Sequence, residues 1–594
     1  MGVGCPLALA LANDVWWGRL VPRKAQRYAR LALESGTPAH PDLVMLSKLG
    51  TDGRHAGNCK RDLISHMKPS LITKSLHPMR LPVKEGTEDI KYETYDFLPP
   101  HALFSALYHE GEETFTDEIL GGDRENVPKF WATQTDHPMY KDHPMHSHEL
   151  DFRTKAVGLA IHNDDVPALG CGKSWAKLAE CNSWSSVLAR GPTEAINFCI
   201  SFFFVCMAVS DRGRDTFDTM WKHIAWSLLA LYNGYWPTHD ADGDEYTHGF
   251  FKEMAGEPLA GGYFGVMWIL RNDLDAMFKR FHEANYNSNA NPCNLCGANA
   301  SDTPWTDCRL DVAKWLSKIW TNASHKAAKG RIHRLFGLPG MGITAYLPDI
   351  LHSKHLGTDP CFFGAVIKYL THHLMNDGAD PDRNLQYLFG EIKAEYRKQK
   401  VRSRYTVLTR TMVHPASKKI PQLKGKGATI KSLGPVLSVI FARKMDTESH
   451  IHVLILQGIK LSTRIDTILD DHQGFYRLPT RVAKTFQTAC FDFCRTGAAL
   501  VKHFHKLTPP VALFNYTIKN HYVMHMGLVA QFINPSLGSC YQGEGLMQVI
   551  KQIIKASANG ATPKLAANTA IKKYAFALTF GIRGSSSWKH SRST

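Results

Sequence analysis

The sequence predicts an α/β core, a mixed sheet with flanking helices, interrupted by a large, mostly α-helical insertion. A mixed α+β N-terminal region precedes it. Three observations carry this. An apolar run, Ala156–Ile161, leads into the acidic pair Asp164-Asp165. Two strand-like segments, a helix and a fourth strand follow in close order, and the fourth ends at Arg271-Asn272-Asp273. Beyond Asp275 the pattern turns to helical spacing with few strand signals.

The first strand reads as buried because it is apolar throughout and delivers its carboxylates only at the tip. The second covers Ala176–Leu188. The third lies in Ala195–Val209, AINFCISFFFVCMAV, rich in Phe, Val and Ile and bounded by Glu194 and Asp211. It is shorter than the roughly 20 residues of a membrane span, so a buried central strand is expected. The helix Thr216–Tyr232 repeats Phe217, Met220, Trp221, Ile224, Leu228 and Leu231 at helical spacing. Gly262–Leu270 (GYFGVMWIL) is the fourth strand. A last helix is expected from Glu544 to Ala558, with Leu546, Val549, Ile550 and Ile553 on one face. Upstream, Leu46–Met67 is basic and broken by glycine, and the Pro-, His- and Asp-rich Thr133–His148 reads as loop.

A chain of 594 residues exceeds one compact core, so two to four units are expected. The divisions fall at 1–150 (N-terminal region, DNA-contacting), 151–275 (first part of the core), 276–520 (helical insertion) and 521–594 (second part of the core). Hydrophobic content of 44% and aromatic content of 10% exclude a disordered chain. The net charge of +16 points to a polyanion, nucleic acid first and an acidic membrane surface second. Thirteen cysteines without dense spacing fit a reducing compartment. No basic residue precedes the apolar Pro6–Ala12, which makes it a poor secretory signal, and Pro6 breaks a myristoylation pattern.

Strand order β-β-β-α-β, with acids after the first and fourth strands, is that of the ribonuclease H-like (RNase H-like) fold. Beside it stand LAIHNDDVP (Leu159–Pro167), Asn182–Leu188, ILRNDLD (Ile269–Asp275), Cys293-x-x-Cys296, LPDILHSKHLG (Leu347–Gly357) and NPSLGSCYQGEGLMQV (Asn534–Val549). In this order the segments resemble the eukaryotic cut-and-paste DDE transposases, the broad group of CACTA, hAT and related elements. The likeness is greatest to transposase-like proteins present in many copies in some protist genomes. The chain differs from the family pattern at Asn163 and Asp165, where glycine is usual. The resemblance implies three carboxylates, Asp164, Asp273 and Glu544, holding two Mg²⁺ or Mn²⁺ ions for cleavage and strand transfer of double-stranded DNA. It also implies a nuclear protein of a mobile element; no membrane partner is expected, and a homo-oligomer is a further expectation. The alternative is a non-catalytic nuclear DNA-binding protein derived from a transposase.

Other clusters carry chemistry of their own. Cys293-x-x-Cys296 has zinc spacing, and Cys308 with a histidine such as His325 or His333 would complete a Zn²⁺ site; two free thiols are the plainer reading. Asp165 is a substitute for Asp164. Asp349, His352 and His355 share a helix face, as a metal site, as a replacement for Asp273, or as a polar helix start after Pro348. Lys393–Lys431 holds twelve Lys or Arg against one acid, Glu395, with Tyr396 and Tyr405 interleaved. Arg397, Lys398, Lys400, Arg402, Arg404, Lys418, Lys419, Lys424 and Lys426 are the expected DNA contacts; the alternatives are a solvated loop or an import signal.

Overall fold

The computed structural model describes residues 5–85, 89–168, 175–189, 196–211, 213–330, 332–375 and 380–583. Strands β1 (His77–Glu85) and β2 (Asp89–Phe97) form an antiparallel pair. The central sheet is mixed, in the order β5-β4-β3-β6, from β3 (Ala156–Pro167), β4 (Leu178–Ser186), β5 (Asn197–Phe204) and β6 (Phe264–Arg271). β3 pairs antiparallel with β4 and parallel with β6. All four strands predicted from the sequence exist: β4 and β6 fall within two residues of the expected limits, β3 runs past Ile161 through the acidic pair to Pro167, and β5 stops at Phe204, short of Val209. The Phe-rich run is a fully buried strand, and among the described residues no helix is long and apolar enough to cross a membrane.

The parallel pairing needs a crossover. It is supplied by α1 (Thr216–Asn233), capped by Asp215, whose carboxylate accepts the N–H groups of Phe217 and Asp218. Its Met220 lies on the sheet face that carries Asn163 and Asn182, with Asn182 Nδ2 3.3 Å from Met220 Sδ. The opposite face is covered by α5 (Tyr541–Ala558) and α6 (Pro563–Arg583), which pack on β3 and β5. Between β6 and α5 the chain builds α2 (His450–Asp471), α3 (Thr480–His505) and α4 (Ile518–Val529), preceded by the helix Pro381–Lys398 and several shorter ones. The helical stretch expected after Asp275 begins only at Leu351; between the short helix that follows β6 and that point the described residues are mostly turns and irregular chain with a few short helical pieces.

The N-terminal region is built onto the core. Trp16 stacks on Phe576 of α6 at 4.7 Å, the N–H of Leu98 donates to Ile200 of β5, and β2 packs on α6. The segment expected to be loop, Thr133–His148, packs under β6: Gln134 accepts the Trp268 indole N–H, and His137 lies against the Trp268 ring. Burying a side chain of Trp size contributes roughly 2–3 kcal/mol, so this loop stabilises the strand that leads to Asp273.

Candidate active site

Register sets the site. In the parallel β3–β6 pair, Ile161 faces Leu270 and His162 faces Arg271. Two residues further on in each segment lie Asp164, still inside β3 and paired with Cys181 of β4, and Asp273, just past the end of β6. Helix α5 adds the third acid. Gly543 lies so close to β3 that a Cβ there would sit 2.5 Å from His162 Cε1. That glycine lets the first turn of α5 close on the strand and bring Glu544 to Asp164 within hydrogen-bond reach. Asp164 and Asp273 are only partly buried, and 35% of the Glu544 side chain is exposed, so the cluster opens to solvent.

Asp164 feels the other two carboxylates. Burial, then the charge of Glu544, then that of Asp273, push the Asp164 carboxyl up to about 8. One Asp164 oxygen accepts the Asp165 N–H at 2.7 Å, which only partly offsets this. Asp273 also caps the short helix Leu274–Lys279 through the N–H of Ala276. The trio is looser than a single-ion cage. Among the described residues, three other groups have ligand atoms all within 4.8 Å of one another: Cys293/Cys296/His521/His525, Asp349/His352/Cys540 and His355/Asp359/Asp466.

Asp165 is not a substitute for Asp164. Side chains alternate along a strand, and Asp165 points to the α1 face. There Arg280 binds it at 3.2 Å and binds the fully buried Glu180 at 2.5 Å. Asn163, the other departure from glycine, donates from Nδ2 to Glu180 and to Asn182. Both residues belong to a buried polar network behind the sheet.

Asp349 does not replace Asp273 either. It is 1% exposed, and its oxygens accept the N–H groups of Leu351, His352 and Cys540 and the His352 ring N–H at 2.7 Å. Burial alone would raise it; these bonds hold it below the usual carboxylate range. The segment Leu351–Thr358 is a π-helix, a wide turn frequent at functional sites. It aims His352 at the acids, with Nε2 3.5 Å from Glu544 Oε1. Burial lowers the His352 pKa, but Asp349, Asp273 and Glu544 outweigh it and lift the imidazole to about 9. His352 thus joins the acid cluster as a cation. His355 points away: its Nε2 lies 2.9 Å from Asp466 and its Nδ1 2.8 Å from the Tyr541 hydroxyl. Asp466 and Asp359 also grip the fully buried Lys354 at 2.7 and 2.8 Å. This network clamps α2 to the start of α5.

The cysteine pair has partners other than those expected. Cys293 and Cys296 face His521 and His525 of α4, with Sγ to Nε2 separations of 3.2 to 3.4 Å and the two Nε2 atoms 3.1 Å apart. All four residues are buried. Tetrahedral zinc, with Zn–S near 2.3 Å and Zn–N near 2.0 Å, needs ligand edges of roughly 3.3 to 3.8 Å, so this donor set fits Zn²⁺. His521 Nδ1 lies 3.0 Å from the Trp305 carbonyl, which fixes Nε2 toward the thiols. Cys308 is outside the group. His325 pairs with Glu283 at 3.0 Å, and His333 packs on Trp221 and Phe281. The missed signal was His521-x-x-x-His525, two histidines one helical turn apart, far along the chain from the thiols.

The nine basic residues expected to contact DNA are all exposed. Their segment is ordered: the N–H groups of Gln422, Leu423 and Lys424 bond the carbonyls of Val413, Pro360 and Met412. Tyr396 and Tyr405 are buried, so they anchor the strip and are closed to bases. Its last turn abuts the acid site, since a Cβ on Gly427 would lie 2.4 Å from Leu351 Cδ1 and 2.8 Å from the Tyr541 hydroxyl. A cavity of about 300 Å³ lies there, lined by Lys431, His355, Asp466, Arg271, Tyr541 and Gln542.

No family model matches the chain, and no curated protein matches it.

Proposed function

We propose that the chain is a DDE transposase-like protein, with an RNase H-like core, that carries out divalent-metal-dependent cleavage and strand transfer on double-stranded DNA in the nucleus. The observation that carries this reading is the convergence of Asp164, Asp273 and Glu544 from three distant segments onto one sheet end. Burial, then the charges of Glu544 and Asp273, raise the Asp164 carboxyl, and bound cations would relieve the repulsive part. Hard oxygen donors suit Mg²⁺ or Mn²⁺. Asp164, Asp273 and Glu544 would be the residues that hold the ions. A bound ion pair supplies activation of the attacking oxygen and stabilisation of the leaving oxygen.

The chain's own groups do the rest. Asp349 orients His352, and the His352 cation holds Glu544 in place. The exposed strip from Arg397 to Lys426 neutralises phosphates, and its end lies beside α5, so bound DNA is directed to the acids. Zn²⁺ on Cys293, Cys296, His521 and His525 would tie the chain just after β6 to α4 and fix the insertion on the core. A nicking assay on plasmid DNA with Mg²⁺ or Mn²⁺ tests the reading. Asp164→Ala, Asp273→Ala and Glu544→Ala should each abolish nicking and leave DNA affinity nearly intact. Nicking that survives all three changes would refute it.

A further inference from the structure

A second cavity, of about 530 Å³, lies between the N-terminal helices and the α5–α6 turn. Its wall carries Arg23, Lys60 and Lys573 and no carboxylate. Among the described residues, none of the three cations has an ion-pair partner; neighbouring Lys572 is the one paired with Asp96. Lys573 is only 8% exposed, and its ammonium donates to the Ala556 carbonyl at 3.1 Å, leaving two N–H groups for another acceptor. Trp16 also lines the cavity, and its buried indole N–H has no partner among the described residues.

These four side chains share one property: each donates hydrogen bonds and none accepts. A ligand that satisfies them must be anionic and rich in acceptor oxygens. We infer that this cavity is a phosphate site, formed by Arg23, Lys60, Lys573 and the Trp16 indole, that takes a phosphate ester or a diphosphate. Burial, then the charge of Lys60, pull the Lys573 ammonium down to about 8, which fits a lysine pocket lacking its counter-ion. The Ala556 carbonyl in the last turn of α5 compensates it, and a helix C-terminus offsets only part of one charge. The inference goes beyond the acid cluster and does not depend on it, because the cavity shares no residue with that cluster. The phosphate can belong to a free small molecule or to a DNA backbone; the chemistry is the same.

The test is calorimetric titration of the full chain with inorganic pyrophosphate at matched ionic strength. The wild type should show saturable binding. Lys60→Gln should weaken it about tenfold or more, as expected for removal of one charge-assisted bond. Arg23→Gln, at an exposed position that leaves the fold intact, should also weaken it. Asp164→Asn should bind as the wild type does. Displacement by duplex DNA would assign the phosphate to a DNA backbone; no displacement would assign it to a free phosphate ester. Absence of saturable binding in the wild type, or unchanged binding in both cavity variants, would overturn the inference.

Discussion

Replacing Asp164 with Asn should stabilise the metal-free protein at alkaline pH. Asp164 rises from an ordinary 3.8 to about 8 through burial and the charges of Glu544 and Asp273. The folded chain therefore holds a proton that the unfolded chain releases between about pH 4 and pH 8. Stability from this group is fully present below about pH 4 and is lost as pH rises through about 8. At roughly 1.36 kcal/mol per tenfold change in proton affinity, the ceiling is about 5–6 kcal/mol. Burial is the largest cause and is shared in part by Asn, and the site is open to solvent, so about 2–3 kcal/mol is expected. The assay is urea denaturation from pH 5 to pH 9, with and without millimolar Mg²⁺. Without metal, the variant's advantage should grow with pH. With Mg²⁺, the wild type should recover and the variant should not respond. Parallel pH profiles for the two proteins would refute the reasoning.

Three further outcomes follow from the geometry. Elemental analysis should find one Zn²⁺ per chain, and either Cys293→Ser or His521→Ala should remove it; a folded, zinc-free wild type would reduce the cluster to packing. Lys354→Met strands Asp359 and Asp466 as buried like charges, so denaturation should show a loss of about 3–5 kcal/mol; a loss under about 1 kcal/mol would show the clamp to be marginal. Charge reversal of Arg402, Arg404, Lys418 and Lys419 should flatten the salt dependence of DNA affinity by about 0.9 for each phosphate no longer neutralised; an unchanged slope would remove the strip from the interface.

The core was legible because buried strands announce themselves. Runs such as Asn197–Phe204 and Phe264–Arg271 are short, largely apolar and buried on both faces; the second falls within two residues of its expected limits, while the first ends at Phe204, short of Val209. That the two acids lie toward one end of the sheet could be read from order alone, since β3 and β6 pair in parallel, although β3 continues three residues past Asp164 to Pro167. What the chain hid was long-range. His521 and His525 read locally as one face of an apolar helix, and nothing near Cys293 points to them. The fates of Asp164 and Asp165 were indistinguishable until strand alternation sent one to Glu544 and the other to Arg280. The β1–β2 pair was missed because β2 is mostly polar and only half covered. The N-terminal region read as separate because its contacts with α6 span most of the chain.

The most direct measurement is anomalous scattering at the manganese edge from crystals of the protein with duplex DNA and Mn²⁺. Two peaks about 3.5–4 Å apart are expected, enclosed by Asp164, Asp273 and Glu544, and both should vanish in Asp164→Asn. A single peak at Asp349, His352 and Cys540, or no peak near the three acids, would contradict the paired-metal site.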